Sequence, residues 1–203
     1  HFFDERIWRI DRRLPDPRRI EEVVALLKTS KRPLIVAGGG VHYAEAWREL
    51  EALSISMEIP VGETFAGKGA IRNGSALHLG GQGVTGTPLV QKIASEADLV
   101  ICVGTRLSDF STGSHSIFQN PEVKFVGINV CAHDAYKQGA LPVTADAREA
   151  LQALLNTTEG AGIEPRSAYV SEIGLLKKEW EAQLKEEVFR QYPDEAMSQG
   201  QVI

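Results

Sequence analysis

Short apolar runs that stop at a glycine or a polar turn recur along the chain and alternate with segments of helical periodicity. The clearest run is Leu99 to Val103, which Gly104 closes. A run without polar alternation is typical of a strand buried on both faces, because a strand with one face in water would alternate. Comparable runs predict further strands over residues 33–37, 59–62, 123–130 and 141–145.

Between these runs, apolar residues spaced three and four positions apart predict amphipathic helices. Asp16-Pro17, Thr87-Pro88 and Asp146 mark helix starts, since Asp and Thr cap helices and proline favours the first turn. The predicted helices cover residues 17–29, 47–57, 88–97, the segment after 146 and 167–192, with a short helix or turn over 133–137. This alternation indicates an α/β fold, an open parallel sheet with right-handed crossovers and helices on both faces.

The same pattern divides the chain into three parts. Residues 1–16 lack a sustained period and predict a surface linker, residues 17–156 form the α/β domain, and residues 157–203 hold a second linker and a long helix. An apolar stripe on that helix is typical of core contact with a neighbour, and a domain outside this sequence is one candidate for that neighbour. The stripe consists of Ile173, Leu176, Trp180, Leu184 and Val188. The chain starts without Met and stops inside an apolar segment, so we expect a domain of a longer polypeptide.

Charge and composition restrict the partners. A net charge of -5 and the lack of a basic, aromatic-interleaved stretch argue against nucleic acid. Cys102 and Cys131 are too few for a disulfide framework or a zinc ligand set, which favours a reducing, cytoplasmic setting. Because no apolar stretch approaches the roughly 20 residues of a membrane span, we expect a soluble protein without a membrane partner.

Candidate chemistry lies where the predicted strands end. Ligands of open parallel sheets bind beyond the carboxyl ends of the strands. There the sequence places Gly38 to Gly40, Glu63, Gly104-Thr105-Arg106 and Asn129. Glycines admit phosphates close to backbone N–H groups and an arginine fork holds an oxyanion, so this layout favours a nucleotide. The alternative for Arg106 is a surface ion pair with Asp109, three residues later.

A glycine motif in the passage 63–86 gives a weaker signal. Gly81-Gln82-Gly83-Val84-Thr85-Gly86 has the spacing of a dinucleotide fingerprint, which must follow a strand directly. The preceding residues 73–80 are loop-like in sequence, so a flexible loop is an equal interpretation. In favour of function, the helix capped by Thr87-Pro88 would turn the N–H groups of residues 85–89 towards an anion.

No catalytic or metal-ligating constellation stands out. The histidines are scattered, and the serines at 108, 111 and 114 have no base near them in sequence. For His42 and His78, which flank glycine turns, a surface or hydrogen-bonded role is the better interpretation. We therefore predict no catalytic and no metal residues in this chain.

Five motifs resemble the central, Rossmann-like domain of thiamine-diphosphate-dependent enzymes of the acetolactate synthase type. In chain order they are Ala37-Gly38-Gly39-Gly40, Ile59-Pro60-Val61 with Ala66-Gly67-Lys68-Gly69, Gly83-Val84-Thr85-Gly86-Thr87, Gly104-Thr105-Arg106-Leu107-Ser108-Asp109-Phe110 and Val143-Thr144-Ala145-Asp146-Ala147. Together they cover about residues 17–155. A second set is similar to the trihydroxycyclohexanedione hydrolases of myo-inositol catabolism, namely Gly62-Glu63-Thr64, Leu79-Gly80-Gly81, Asp109-Phe110-Ser111-Thr112 and Ile128-Asn129-Val130 with Ala135-Tyr136-Lys137.

The resemblance implies a homo-oligomer of three-domain subunits, in which the two other domains bind thiamine diphosphate and Mg²⁺. Ser198 to Ile203 resembles only the start of the third domain, so the chain alone should neither bind thiamine diphosphate nor turn over substrate. In the subfamily the whole enzyme hydrolyses a C–C bond of a cyclic dione. Acetolactate synthase itself is the alternative within the family.

In some relatives the central domain holds FAD or an ADP moiety, although Cys131-Ala132-His133 replaces an acidic pair here and argues against flavin. Two further hypotheses stay open: a stand-alone nucleotide-binding module in which Glu63 holds a ribose, and a structural domain with an empty pocket. The positions that match the nucleotide pocket are Gly38, Gly39, Gly40, Gly83, Thr85, Gly86, Gly104, Thr105, Arg106, Asp109, Asn129 and Val130.

Overall fold

The computed structural model describes Asp4, Glu5, Ile7 and residues 10–188. Its centre is one six-stranded parallel sheet with the strand order β3-β2-β1-β4-β5-β6. The predicted parallel α/β architecture is therefore confirmed. The strands are β1 (Pro33–Ala37), β2 (Val61–Glu63), β3 (His78–Gly81), β4 (Leu99–Val103), β5 (Lys124–Asn129) and β6 (Leu141–Thr144).

Three helices begin where the sequence places side-chain caps. The Asp16 carboxylate accepts from the Arg18 N–H, the Thr87 hydroxyl from the Val90 N–H and the Asp146 carboxylate from the Arg148 N–H. The helices are α1 (Pro17–Thr29), α2 (Gly40–Tyr43), α3 (Trp47–Ser56), α4 (Pro88–Glu96), α5 (Asp109–Thr112), α6 (Ala132–Ala135), α7 (Ala147–Thr158) and α8 (Ser167–Gln183), followed by a π-helical turn, Leu184–Val188.

Both faces of the sheet are buried, as the uninterrupted apolar runs predict. Alternate residues of β1 and β4 point to opposite faces, so Ile35 and Ile101 join the core under α1, α3 and α7. Leu34 and Val100 join a second core under α4 and α8. Cys102 lies in this second core and Cys131 is exposed, and both are free thiols.

The interpretation of residues 73–80 as a loop is wrong at its end, because β3 occupies His78–Gly81. This strand has no clear apolar pattern, because two of its four residues are glycines without an apolar side chain and because it lies at the edge of the sheet. The pairing of β2 with β3 is irregular, because its register shifts between Val61 and Gly62. Strand β2 begins at Val61, two residues after the predicted start. The glycine motif therefore does follow a strand directly.

Helix α8 packs against this domain. Tyr169 and Ile173 are buried in the second core, and Leu176 and Trp180 pack against it. The stripe residues Ile173, Leu176 and Trp180 therefore pack on this domain itself, and these positions need no partner domain outside the sequence. The predicted boundary after residue 156 falls inside α7, while residues 189–192 of the predicted helix and the Ser198 to Ile203 segment lie outside the described residues.

The Arg166 side chain joins α8 to the rest of the domain. Its Nη1 donates to the Met57 carbonyl (2.7 Å), its Nη2 to the Leu27 carbonyl (2.6 Å) and its Nε to the Ser30 carbonyl (3.2 Å). These carbonyls lie at the carboxyl ends of α1 and α3, where helices leave acceptors without internal donors. One arginine thus caps two helices.

The linker predicted for residues 1–16 lies on the surface where the structure describes it. Ile10 and Leu14 are exposed, whereas Arg12 Nη1 donates to the Ala44 carbonyl at 2.8 Å and pairs with Asp146. Its other apolar and basic residues, Phe2, Phe3, Arg6, Trp8 and Arg9, lie outside the described residues. None of the helices that the structure describes is long and apolar enough to cross a bilayer.

Candidate functional site

The predicted site residues collect at the carboxyl edge of the sheet. Strands β1 and β4 are neighbours there, and the two halves of the sheet extend from this pair in opposite directions. Such a switch point is where open α/β sheets bind ligands. The loops after β1 and β4, which carry Gly38 to Gly40 and Gly104 to Arg106, meet at this point.

Glycine lets these two loops touch through their backbones. The Gly38 N–H donates to the Val103 carbonyl (2.8 Å) and the Gly40 N–H to the Gly104 carbonyl (2.9 Å). A β-carbon on Gly40 would lie 2.5 Å from the Gly104 α-carbon, and Gly104 has a φ of +61°. The glycines here therefore serve loop packing, and the N–H groups of Gly38 and Gly40 are bonded inside the domain rather than directed at a phosphate.

Asn129 joins the next loop to this pair. Its Nδ2 donates to the Thr105 carbonyl at 3.2 Å, and its Oδ1 accepts from the Cys131 N–H at 3.0 Å. Both ends of the amide are thereby used, while Thr105 is buried and Val130 is exposed. Asn129 thus positions the loops after β4 and β5 relative to each other.

The turn with Gly83, Thr85 and Gly86 sits on the start of α5. The Val84 N–H donates to the Phe110 carbonyl at 2.9 Å, and a β-carbon on Gly83 would lie 2.7 Å from that same oxygen. Gly86 and Thr87 also donate to acceptors within the turn. Two of the N–H groups that could have faced an anion, those of Gly86 and Thr87, are therefore already bonded, and Thr85 is exposed.

Arg106 and Asp109 remain open to solvent at this edge. Both are exposed, and within the described residues no ion pair joins them. The alternative of a mutual surface pair is therefore wrong. Arg106 presents five N–H donors in a planar fork at the switch point, which suits a carboxylate or a phosphate.

The Glu63 carboxylate is buried, and both of its oxygens contact groups of the same domain. Its Oε1 accepts from the N–H groups of Gly69 and Ile71, each at 3.0 Å, and its Oε2 lies 3.1 Å from Nε2 of His78. Burial by itself would raise the pKa of Glu63, but the His78 contact and the two N–H donors outweigh it and hold that pKa below its usual value. The ribose-binding role considered for Glu63 is wrong, because its oxygens already order residues 64–71.

Both questioned histidines have the hydrogen-bonded roles that the sequence favoured. His78 pairs with Glu63, and His42 Nε2 donates to the Lys68 carbonyl at 3.1 Å. No group of three His, Cys, Asp or Glu side chains in the described part of the chain could hold a metal ion.

Gln82 and a surface groove belong to this edge as well, although neither has a clear sequence pattern. Gln82 is buried, and its Nε2 donates to the Ser111 carbonyl at 3.3 Å, which fixes the glycine turn on α5. A polar residue inside a glycine run was its only signal. The groove, of about 680 Å³, lies between α4 and the loop 113–119, and no periodic pattern marks it. Its lining includes Gln91, Ser114 and Ser116.

Comparison with known proteins places this geometry in a family. The sequence model of one protein family, the thiamine pyrophosphate enzyme central domain, matches residues 20–154 of this chain. The chain is 48% identical over 184 residues to 3D-(3,5/4)-trihydroxycyclohexane-1,2-dione hydrolase 2 of Bacillus cereus and 47% identical to hydrolase 1 of that species. It is 46% identical to a hydrolase of the same name from Bacillus anthracis. Each similarity covers 91% of this chain and 28% of the relative, so the chain spans less than a third of these proteins.

Proposed function

The chain belongs to the family of thiamine pyrophosphate enzyme central domains, and we propose that it is the central domain of a thiamine-diphosphate-dependent hydrolase that cleaves a C–C bond of trihydroxycyclohexane-1,2-dione. The observation that carries the proposal is the 46–48% identity to hydrolases of that name, which runs through 91% of the chain. We place the enzyme in the cytoplasm, in inositol catabolism, as a homo-oligomer.

In this proposal the chain supplies structure and binding rather than the chemical step. The described residues contain no group of three His, Cys, Asp or Glu side chains that could hold a metal ion, and we propose that thiamine diphosphate and Mg²⁺ bind elsewhere in the polypeptide. We assign both groups, and the residues that use them, to parts of the polypeptide outside this sequence. The central domain alone is therefore inactive.

The experiment is to extend the reading frame past Ile203 and assay the whole polypeptide. We expect a Gly-Asp-Gly…Asn motif downstream, and opening of the dione ring with release of an acid when thiamine diphosphate and Mg²⁺ are supplied. A stop codon after Ile203 would contradict the proposal. So would a whole polypeptide that makes acetolactate from pyruvate and leaves the dione intact.

We further propose that the switch point binds the ADP moiety of a nucleotide. Arg106 supports this, since it is an exposed cation at the switch point with no carboxylate partner among the described residues. Because the N–H groups of Gly38, Gly40 and Gly86 are bonded within the domain, we assign the phosphates to the Arg106 guanidinium and the Thr85 hydroxyl. Asp109 and Val130, which are also exposed at this edge, would face the rest of the nucleotide.

Thermal shift of the chain with ADP, NAD and FAD tests the nucleotide proposal. We expect ADP to raise the melting temperature, and Arg106→Gln to abolish the rise. Arg19→Gln is the matched control, because Arg19 lies on α1 and pairs with Glu22 on the surface. No stabilisation by any of the three would instead favour the structural domain with an empty pocket.

A further inference from the structure

We propose that the groove between α4 and the loop 113–119 binds a neutral, polyhydroxylated ring, such as a cyclitol or a pyranose sugar. Its volume of about 680 Å³ lies in the range of small-molecule sites. Thr85 and Arg106, to which we assign the phosphates of the nucleotide, do not line this groove. The groove is therefore a second site, and the inference does not depend on the proposed function.

The polar face of α4 forms one wall of the groove. The opposite face of this helix is buried in the second core, against the sheet. Residues three or four positions apart on a helix share a face, and the groove residues of α4 follow that spacing. They are Pro88, Gln91, Lys92 and Ser95. This wall therefore presents an amide, an ammonium and a hydroxyl beside the proline ring.

The other wall is a turn with a strained backbone. Gly113, Ser114 and His115 have φ angles of +58°, +52° and +67°, and this left-handed conformation is costly for residues other than glycine. Local bonds hold the turn, because the Ser114 N–H donates to the Asp109 carbonyl at 2.8 Å and the Ser116 hydroxyl to the Gly113 carbonyl at 2.6 Å. Strain enforced by the surrounding structure is typical of ligand sites. The turn thus forms a preorganised wall.

Hydrogen-bond acceptors are the most frequent polar groups of the groove. The Ser95 hydroxyl donates to the Lys92 carbonyl at 2.8 Å and the Ser116 hydroxyl donates within the turn, so each oxygen can still accept. Gln119 donates through Nε2 to the Ser116 carbonyl at 3.2 Å, which leaves its Oε1 as an acceptor. A ligand with several O–H donors satisfies these oxygens, whereas an anion that only accepts does not.

Gln91 and Ser114 supply further polar groups from the two walls. Within the described residues neither side chain has a hydrogen-bond partner, and both are exposed. An amide and a hydroxyl can each donate and accept, as the neighbouring hydroxyls of a polyol also do. We therefore assign recognition of the ring hydroxyls to these two side chains.

The charge and the apolar atoms of the lining favour a neutral carbon ring. Lys92 is the one charged residue that lines the groove, and it pairs with Glu96. Because its charge is already balanced, the groove does not select for an anion. Val84, Pro88 and Ile117 add carbon surface against which the C–H groups of a ring can pack.

Titration of the 203-residue chain with myo-inositol and with D-glucose, followed by nitrogen–proton NMR, tests the inference. We expect at least one of the two rings to shift the Gln91 side-chain amide and the Ser114 N–H along one saturation curve, and the tighter ring distinguishes a cyclitol from a sugar. The absence of a saturable shift with both rings would overturn the inference. Tighter binding of inorganic phosphate or of cyclohexanol would also overturn it, since the groove would then select for charge or for carbon surface.

Variants of the two recognition residues locate the bound ring. Gln91→Ala and Ser114→Ala should each raise the dissociation constant about fivefold, because each removes a hydrogen bond to the ring. Gln152→Ala is the matched control, since Gln152 is an exposed amide on α7 outside the groove. All three positions are exposed, so the melting temperatures should equal that of the unchanged chain. A ring that binds both groove variants as tightly as the control would lie elsewhere, and the assignment of the groove would be wrong.

Discussion

Gly38 and Gly104 touch backbone to backbone at the centre of the carboxyl edge: a β-carbon on Gly38 would lie 2.4 Å from the Gly104 carbonyl oxygen. Gly38→Ala should therefore force the two loops apart and lower the free energy of unfolding by about 1–3 kcal/mol. Urea denaturation measures the loss. Gly74→Ala is the control, because a β-carbon there meets nothing within 4 Å. Equal stability of the two variants would contradict the packing role of Gly38.

Glu63→Gln should lower the free energy of unfolding by about 1–3 kcal/mol at pH 7, since a neutral amide offers weaker acceptors to the Gly69 and Ile71 N–H groups. Loss of the carboxylate also removes the charge that faces His78. Glu21→Gln, on the exposed side of α1, should be nearly neutral. A matching loss in the control would mean that the effect is not specific to the buried site.

Acid should remove the same contribution from the unchanged protein. The pKa of Glu63 is lower in the folded protein than its ordinary value of 4.5, so the unfolded chain holds the proton more tightly. The stability due to Glu63 is complete above that ordinary value and declines as the pH falls through it towards the folded pKa. Urea midpoints taken between about pH 6 and pH 3 should therefore decline more steeply for the unchanged protein than for Glu63→Gln.

Arg166→Met should cost about 2–4 kcal/mol, because it leaves the Leu27 and Met57 carbonyls without their donors at the ends of two helices. Arg19→Met removes only an exposed pair with Glu22 and should change stability by less than about 0.5 kcal/mol. Thermal and urea denaturation of both variants distinguish the two cases. A loss below that of the control would exclude Arg166 as the residue that joins α8 to the domain.

Asn129→Ala should lower stability by about 1–2 kcal/mol and free the loop after β5. The Cys131 N–H loses its acceptor in this variant, so its hydrogen exchange should accelerate. Asn73→Ala, at an exposed loop position, serves as the control. Unchanged exchange at Cys131 would show that the loop is held by other contacts.

The elements that the sequence predicted well are those whose signal is local. Strand β4 ends at Val103, directly before the glycine that closes its apolar run, and α1 begins at Pro17, directly after its Asp16 cap. Strand β3 was not predicted, because Gly80 and Gly81 carry no side chain that contributes to an apolar pattern.

The parts of the site that escaped depend on contacts between distant residues. The sequence marked Gly38 and Gly104 as unusual but could not tell phosphate binding from mutual contact, since both require a bare backbone. The internal role of Glu63 depends on two N–H groups and His78, which lie six to fifteen positions later. Only the folded chain brings these groups together.

The strand order also has a kinetic consequence. Strands β1 to β3 form one half of the sheet and β4 to β6 the other, and the halves join only where Pro33 to Ala37 pairs with Leu99 to Val103. That pairing closes a loop containing two other strands and three helices, so its entropic cost falls on a late, long-range step. Pairing of β1 with β4 should therefore limit the folding rate. The same pairing forms the switch point at the carboxyl edge of the sheet.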